Sequence, residues 1–282
     1  MHRFVSYDGT EISHRTAGDG PPLVCLPGGP GRAAQYLGEL GGLDAERRLI
    51  LVDPRRVGHS ANPADPASLR VDRLVQDVES LRVHLGLERM DLLAHSAGAN
   101  LALLYAAKFP ERLSRLVLVT PGLGALAVHP VKEQFDAVLN RLAAEPWYPE
   151  ARAALEKILT GDLSPESFAA SRPVFYAHWN EAARAHAMLG TADRHQVARV
   201  GYFAGADIDP PSVRAALTRL AAPVLLHVGD LDPLVTPTMA QQAAPLFPDA
   251  TVVVQPGAGH FPWVDAPTAF APALSQFLTE PR

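Results

Sequence analysis

Short apolar runs rich in valine and leucine recur along the 282-residue chain, and they constrain its fold more than any other feature. They lie at Leu23–Leu26, Leu49–Val52, Met90–Ala94, Leu116–Val119, Val224–Val228 and Thr251–Val254. Runs of this length and composition are typical of strands buried on both faces. Helical patterns separate several of them, and the clearest starts at Val71 and stops at Gly86. The alternation predicts an α/β fold with a mostly parallel central sheet and helices on both of its faces.

Two segments do not follow this alternation of strands and helices. The first, Arg3–His14, has extended patterns on either side of Asp8-Gly9, a dipeptide that favours a hairpin turn. The second is rich in aromatic residues and carries helical patterns such as Val131–Leu142 and Ala151–Leu159. We predict that it forms a helical cap inserted above the sheet. The predicted division is a first core part at 1–121, the cap insertion at 122–205 and a second core part at 206–282.

Charge and cysteine content argue against several classes of function. The net charge is −5 and the basic residues are scattered, so we expect no binding to nucleic acid or to an anionic membrane. The only cysteine, Cys25, lies in an apolar run, which suits a reducing compartment. The N-terminus lacks the pattern of a signal peptide, and no stretch approaches the roughly 18 apolar residues of a membrane span. We therefore expect a cytoplasmic protein with a small-molecule substrate.

Ser96 is the first candidate catalytic residue. It lies in Ala94-His95-Ser96-Ala97-Gly98, where a predicted strand ends and a predicted helix begins. A serine nucleophile is held on such a sharp turn, with small residues two positions before and after it so that strand and helix can approach. The amide of Ala97, at the start of the helix, would then face developing negative charge. The alternative is an ordinary strand-to-helix turn in which the serine caps the helix.

Two later loops favour the catalytic interpretation. The run Val224–Val228 is followed by Asp230 and Asp232, and the last run is followed by Gly257-Ala258-Gly259-His260. The chain order serine, acid, histidine is one of the known orders of a catalytic triad. In such a triad the histidine removes the serine proton, and the carboxylate orients the imidazole and stabilises the cation that forms.

The assignments within this trio leave alternatives. His260 is the only histidine in a glycine-rich loop after the last strand, whereas His95 should point away from Ser96 because neighbouring residues at a strand end face opposite sides. Gly-x-x-Asp followed by Pro-Leu-Val matches the usual acid loop of this arrangement and favours Asp232, with Asp230 as the competitor. No spacing of His, Cys, Asp and Glu resembles a metal site, and we expect no metal and no cofactor.

With these motifs the chain resembles the α/β-hydrolase family, and within it the proline iminopeptidase group. The segment Pro27-Gly28-Gly29-Pro30-Gly31 resembles that group's His-Gly-Gly-Pro-Gly. Asp53-Pro54-Arg55-Arg56-Val57-Gly58-His59-Ser60 resembles its Asp-Gln-Arg-Gly-x-Gly-x-Ser. The resemblance implies that the amide of Gly29 is a second oxyanion donor beside that of Ala97. The chain departs from the group in having Pro27 for a histidine, Arg56 for a glycine and Ala94 for the first glycine of the elbow.

The cap should set substrate choice. Its aromatic content indicates a largely apolar pocket, and we select Trp179 as a lining residue because polar side chains flank it. Members of the peptidase group hold a free amine with cap carboxylates, for which Glu181 is the candidate. We expect a serine hydrolase that cleaves an ester, thioester or amide bond of a medium-sized, mostly apolar substrate through an acyl-enzyme.

Two other functions compete with hydrolysis of an acyl bond. The same fold serves in some proteins as a carbon–carbon bond hydrolase, lyase, cyclase or ligand receptor, because fold does not determine function. More remotely, the stretch Gly29–Ala34 fits G-x-G-x-x-A, and Asp53 follows at about the interval of an NAD-binding fingerprint. That interpretation leaves Ser96, Asp232 and His260 unexplained.

Overall fold

The computed structural model describes residues 1–162, 164–189 and 195–280. The strands are β1 His2–Val5, β2 Glu11–Ala17, β3 Pro22–Leu26, β4 Arg48–Val52, β5 Met90–His95, β6 Leu113–Val119, β7 Val224–Gly229 and β8 Ala250–Gln255. They form one sheet in the order β1-β2-β4-β3-β5-β6-β7-β8. The pairs β1–β2 and β2–β4 are antiparallel and every other pair is parallel, so the predicted hairpin and the predicted mostly parallel sheet are both confirmed.

Helices cover the sheet on both faces. They are α1 Val71–His84, α2 Gly98–Lys108, α3 Lys132–Asn140, α4 Tyr148–Leu159, α5 Pro165–Ala170, α6 Glu181–Met188, α7 Gln196–Phe203, α8 Pro210–Leu217, α9 Pro237–Ala243, α10 Pro262–Asp265 and α11 Pro267–Thr279. Successive strand residues point to opposite faces. Leu92 therefore packs in one apolar cluster with α1, α2, α8 and α9, and Leu93 in a second cluster with α11.

The last strand differs from its prediction. The run Thr251–Val254 suggested a strand buried on both faces, but β8 is an edge strand that pairs only with β7. Thr251 and Val254 are exposed, the latter by 36%. The sequence pattern could not reveal this, because the apolar composition of an edge strand and of a central strand can be the same.

Between β6 and β7, the described residues form helices and no strand. The expected helices correspond to α3 and α4. His186 is buried on α6, where its ring nitrogens bond the hydroxyl of Tyr176 and the carbonyl oxygen of Tyr36. The division at 121 and 205 stays a prediction. Across the described ranges, no helix combines the length and the apolarity needed to cross a bilayer.

Candidate active site

Ser96 occupies a strained turn between β5 and α2. Its backbone φ is 52°, in the left-handed region that non-glycine residues rarely adopt. The turn is held by the Ser96 amide, which donates to Val119 (3.1 Å), and by its carbonyl, which accepts from Gly122 (2.8 Å). The residue that caps α2 is Ala97, and no side chain caps the helix there. The geometry is that of a nucleophile elbow rather than of a capping serine.

Two glycines allow the chain to pass close to this turn. A Cβ on Gly98 would lie 2.4 Å from the carbonyl oxygen of Pro27, and a Cβ on Gly28 would lie 2.7 Å from the Cβ of Ser96. Both distances are shorter than any real contact, so a larger residue at either position would displace the loop or the elbow. No sequence pattern predicts this role of Gly28, since the family resemblance points to the neighbouring Gly29.

His260 joins the serine to an aspartate. The Ser96 hydroxyl lies 2.9 Å from Nε2 of His260, and Nδ1 of the same ring lies 2.7 Å from Oδ2 of Asp232. Asp232 is fully buried, and its other oxygen accepts from the amide of Leu234 at 2.9 Å. With Nδ1 donating to the carboxylate, Nε2 is free to accept the serine proton. This is the arrangement that a general base requires.

Asp230 lies in the same loop and has other partners. Its carboxylate accepts from Arg141 at 2.8 Å and from the amide of Gly257 at 2.7 Å, on the surface of the loop. Of the two candidates, Asp232 contacts the histidine, whereas Asp230 bonds Arg141 and the backbone of Gly257.

His95, the competing base, makes its hydrogen bonds to groups other than Ser96. Its Nδ1 lies 2.7 Å from the hydroxyl of Tyr36, and its Nε2 lies 3.0 Å from the carbonyl oxygen of His260. Burial holds the pKa of His95 well below its usual value, so the ring stays neutral. Both nitrogens are therefore occupied by structural hydrogen bonds.

Gly29 and Ala97 are the chain neighbours of Gly28 and Ser96, which lie close together. Ala97 follows the serine in the chain, and Gly29 follows Gly28, whose Cα lies against Ser96. Within the described residues, neither the amide of Gly29 nor that of Ala97 has a protein acceptor. Unpaired amides beside a nucleophile can receive an oxyanion.

The segment between β6 and β7 also contacts the histidine loop. The carbonyl of Phe175 accepts from the amide of His260 at 2.8 Å, and the two rings are 6.1 Å apart. The carboxylate of Asp265 accepts from the amide of Gly259 at 2.7 Å. Burial raises the pKa of Asp265 to about 6. These contacts, neither of which has a sequence signature, join Phe175 and Asp265 to the backbone that carries His260.

The two candidate binding residues lie further out. Trp179 is half-buried and its ring packs 5.4 Å from that of Tyr176. Glu181 is exposed in the first turn of α6. Among the described contacts, no hydrogen bond or ring contact joins either residue to Ser96 or His260. Their binding roles stay predictions.

The glycine-rich stretch lacks the helix of a dinucleotide-binding fold. It leads into a single 3₁₀ turn, Ala34–Leu37, where the fingerprint expects an α-helix. Asp53 is buried, and its carboxylate accepts from the amide of Ala34 at 2.9 Å, so it braces this loop. The part of the chain that the structure describes also contains no cluster of three metal-binding side chains.

The fold is that of a known family. Residues 21–267 match the family model described as alpha/beta hydrolase fold, and the chain belongs to that family. The chain is a hydrolase with esterase and peptidase relatives, similar to the proline iminopeptidase group.

Three similar proteins show which kinds of hydrolase this chain resembles. The chain is 28% identical to RutD of Caulobacter sp. (strain K31), named provisionally as a carbamate hydrolase, over 95% of this chain and 94% of that protein. It is 26% identical to the proline iminopeptidase of Heyndrickxia coagulans, over 98% and 97% of the two chains. The structure of the esterase RhEst1 from Rhodococcus sp. ECU1013 has a TM-score of 0.69 and 25% identity, covering 99% of this chain and 98% of that one.

Proposed function

We propose that the chain is a serine hydrolase that cleaves carboxylic esters through an acyl-enzyme. The observation that carries this proposal is the chain of contacts from the Ser96 hydroxyl through both nitrogens of His260 to the buried carboxylate of Asp232. The left-handed turn at Ser96 and the unpaired amides of Gly29 and Ala97 support it.

The reaction follows from these positions. His260 takes the Ser96 proton on Nε2 as Oγ attacks the ester carbonyl, and Asp232 stabilises the imidazolium. The amides of Gly29 and Ala97 donate to the oxyanion of the tetrahedral intermediate. The intermediate collapses to the acyl-enzyme, and His260 returns its proton to the departing alcohol. Water then attacks the acyl-enzyme with His260 again as the base, which releases the acid and restores Ser96.

The surroundings favour an uncharged, mostly apolar acyl group. The rings of Phe175 and Phe261 lie beside His260, at 6.1 and 5.3 Å between ring centroids. A free amine would need a carboxylate close to the serine, but Glu181 lies exposed on α6. We therefore place esters ahead of thioesters and of the aminoacyl amides that proline iminopeptidases take.

The test combines a covalent probe with a substrate panel. A fluorophosphonate should label Ser96, as mapped by peptide mass spectrometry, and should not label Ser96→Ala. Among p-nitrophenyl esters, acyl-thioesters and aminoacyl-nitroanilides, the esters should give the highest kcat/KM. Labelling elsewhere would overturn the nucleophile, and faster turnover of the nitroanilides would favour a peptidase. Labelling of Ser96 without release of acid from any substrate would favour a lyase or a receptor.

The cap, which we place at residues 122–205, is proposed to set selectivity while the core supplies the chemistry. If Trp179 lines the pocket, Trp179→Ala should change relative kcat/KM across the ester series while the melting temperature hardly moves. A large loss of melting temperature with unchanged selectivity would make it a packing residue, as its contact with Tyr176 allows. Glu166→Gln, at an exposed position on α5, is the control.

A further inference from the structure

Tyr36 contacts the proposed oxyanion loop on both sides of Gly29. Its hydroxyl accepts from the amide of Gly28 at 2.7 Å, and the guanidinium of Arg32 lies over its ring, 3.8 Å from the centroid. The side chain is only 1% exposed, so these contacts are made in a nearly dry environment where a hydrogen bond is strong. Tyr36 therefore fixes the ends of the short loop that presents the Gly29 amide.

The same hydroxyl begins a chain of hydrogen bonds to the histidine loop. It lies 2.7 Å from Nδ1 of His95, whose Nε2 lies 3.0 Å from the carbonyl oxygen of His260. The amide of Gly28 can only donate, and the carbonyl of His260 can only accept. One proton arrangement satisfies every member: Gly28 donates to the Tyr36 oxygen, Tyr36 donates to Nδ1, and Nε2–H donates to the carbonyl. This arrangement requires a neutral His95. A second proton, on Nδ1, would face the hydrogen of the Tyr36 hydroxyl, and two donors cannot form a hydrogen bond with each other.

We propose that Tyr36 and His95 are positioning residues that hold the oxyanion loop and the general base in register. The inference rests on the proposed function. His95 precedes Ser96, and its ring lies 4.9 Å from that of His260. The pair thus connects the three segments that must meet around the substrate carbonyl: the loop of Gly29, the elbow and the loop of His260. An oxyanion donor acts mainly in the transition state, so its misplacement should lower the rate of the chemical step more than it weakens binding.

A second tyrosine–histidine pair provides a matched control. The hydroxyl of Tyr176 lies 2.8 Å from Nδ1 of His186, whose Nε2 lies 2.8 Å from the carbonyl oxygen of Tyr36. Tyr176 is 2% exposed and lies in the same apolar cluster as Tyr36. Loss of either hydroxyl removes a buried hydrogen bond to a neutral histidine. Only the hydroxyl of Tyr36 also holds Gly28.

The experiment compares Tyr36→Phe with Tyr176→Phe in the full chain. Phosphonylation by a fluorophosphonate gives a maximal rate and a half-saturation concentration without knowledge of the natural substrate. We expect Tyr36→Phe to lower the maximal rate about 10- to 100-fold, with half-saturation within about twofold, because one oxyanion donor is worth about 10²–10³ in rate when it is lost completely. Tyr176→Phe should stay within about twofold in both, with a similar loss of melting temperature. Equal rates for the two variants would overturn the inference.

A second pair of variants decides the matter if Tyr36→Phe folds poorly. His95→Gln carries an acceptor and a donor about as far apart as the two ring nitrogens, whereas His95→Leu carries neither. The glutamine should retain most of the maximal phosphonylation rate, and the leucine should lose it to about the extent of Tyr36→Phe. Equal rates for glutamine and leucine variants of similar melting temperature would also overturn the inference. Ser96→Ala separates the two proposals. If this variant still reacts with the fluorophosphonate, the proposed function fails. If it does not react, the rates of the Tyr36 and His95 variants test the positioning role alone.

Discussion

Asp230 and Asp232 are two residues apart in one loop, yet only Asp232 is fully buried against the histidine. Asp232→Asn would present an amide to Nδ1 of His260 and favour the wrong tautomer of the ring. We expect kcat to fall by about 10⁴, the usual cost of losing the triad acid. Asp230→Asn, the matched control, keeps the histidine contact and should turn over nearly as fast as the wild type. The measurement is kcat on the best ester of the panel, and a reversed order would contradict the assignment.

Arg56 has a strained backbone conformation at a position where the peptidases that this chain resembles have glycine. Its φ is 63°, and its Nε donates to His195 at 3.1 Å. The left-handed backbone costs a non-glycine residue roughly 1–2 kcal/mol, part of which glycine gives back through its larger entropy when unfolded. We expect Arg56→Gly to be about 1 kcal/mol more stable to unfolding than Arg56→Ala, because both lose the side chain and only one relieves the strain. Urea denaturation of the two variants measures this difference, and equal midpoints would mean that the turn is not strained.

At the scale of the elements, Arg55 joins parts of the core that no strand pairing connects. Its buried guanidinium makes two bonds to Asp77 on α1, at 2.6 and 2.7 Å. It also donates to Asp8 in the β1–β2 turn and to Ser68 at 2.9 Å. Removing one partner of such a group leaves a buried charge without compensation, which typically costs about 3–5 kcal/mol.

Arg55→Leu should therefore lower the free energy of unfolding by about 3–5 kcal/mol. The control is Arg3→Leu, which breaks the exposed Arg3–Glu11 pair and should cost at most about 1 kcal/mol. Adding Asp77→Leu to Arg55→Leu should recover part of the loss, since the uncompensated carboxylate is then gone. A double variant less stable than Arg55→Leu would show that packing, rather than charge, dominates at this site.

For the whole molecule, buried histidines make the stability depend on pH. Burial lowers the pKa of His14, His186 and His227 to about 4 each, against 6.5 for a free histidine. Below pH 6.5 the unfolded chain takes up protons that the folded chain refuses. The stability that these three histidines contribute is therefore fully present above pH 6.5 and is lost as the pH falls towards 4. Asp265 has the opposite sign, because its pKa is raised to about 6, and it offsets one of the three histidines.

The contribution of one histidine can be isolated with His227→Leu, which replaces a fully buried ring on β7. Each proton taken up on unfolding contributes about 1.4 kcal/mol per pH unit to the slope of stability against pH. Near pH 5 the variant should show a slope smaller by about that amount, measured by urea denaturation at pH 4.5, 5.0 and 5.5. His59→Leu, at an exposed position, is the control for the substitution itself. An unchanged slope in His227→Leu would mean that this ring is already protonated in the folded chain.

From the sequence alone we could predict the strands, the clearest helix and the candidate residues Ser96, Asp232 and His260. These features are local: an apolar run, a helical period or a polar loop after a strand is visible within about ten residues. Parallel strands end at the same edge of a sheet, so residues that follow β5, β7 and β8 had to come near one another. The matched acid loop pointed to Asp232, and the structure supplied the contact that separates it from Asp230.

The side chains that support that trio can be recognised only in the folded chain. Tyr36 and His95 are 59 residues apart, and His95 and His260 are 165 apart, so no periodic pattern links them. The same holds for the burial of His186 and the exposure of β8, which depend on what packs against each element rather than on its own residues. A hydrogen bond between distant residues forms only when the folded core brings its donor and acceptor within about 3 Å and excludes water from both.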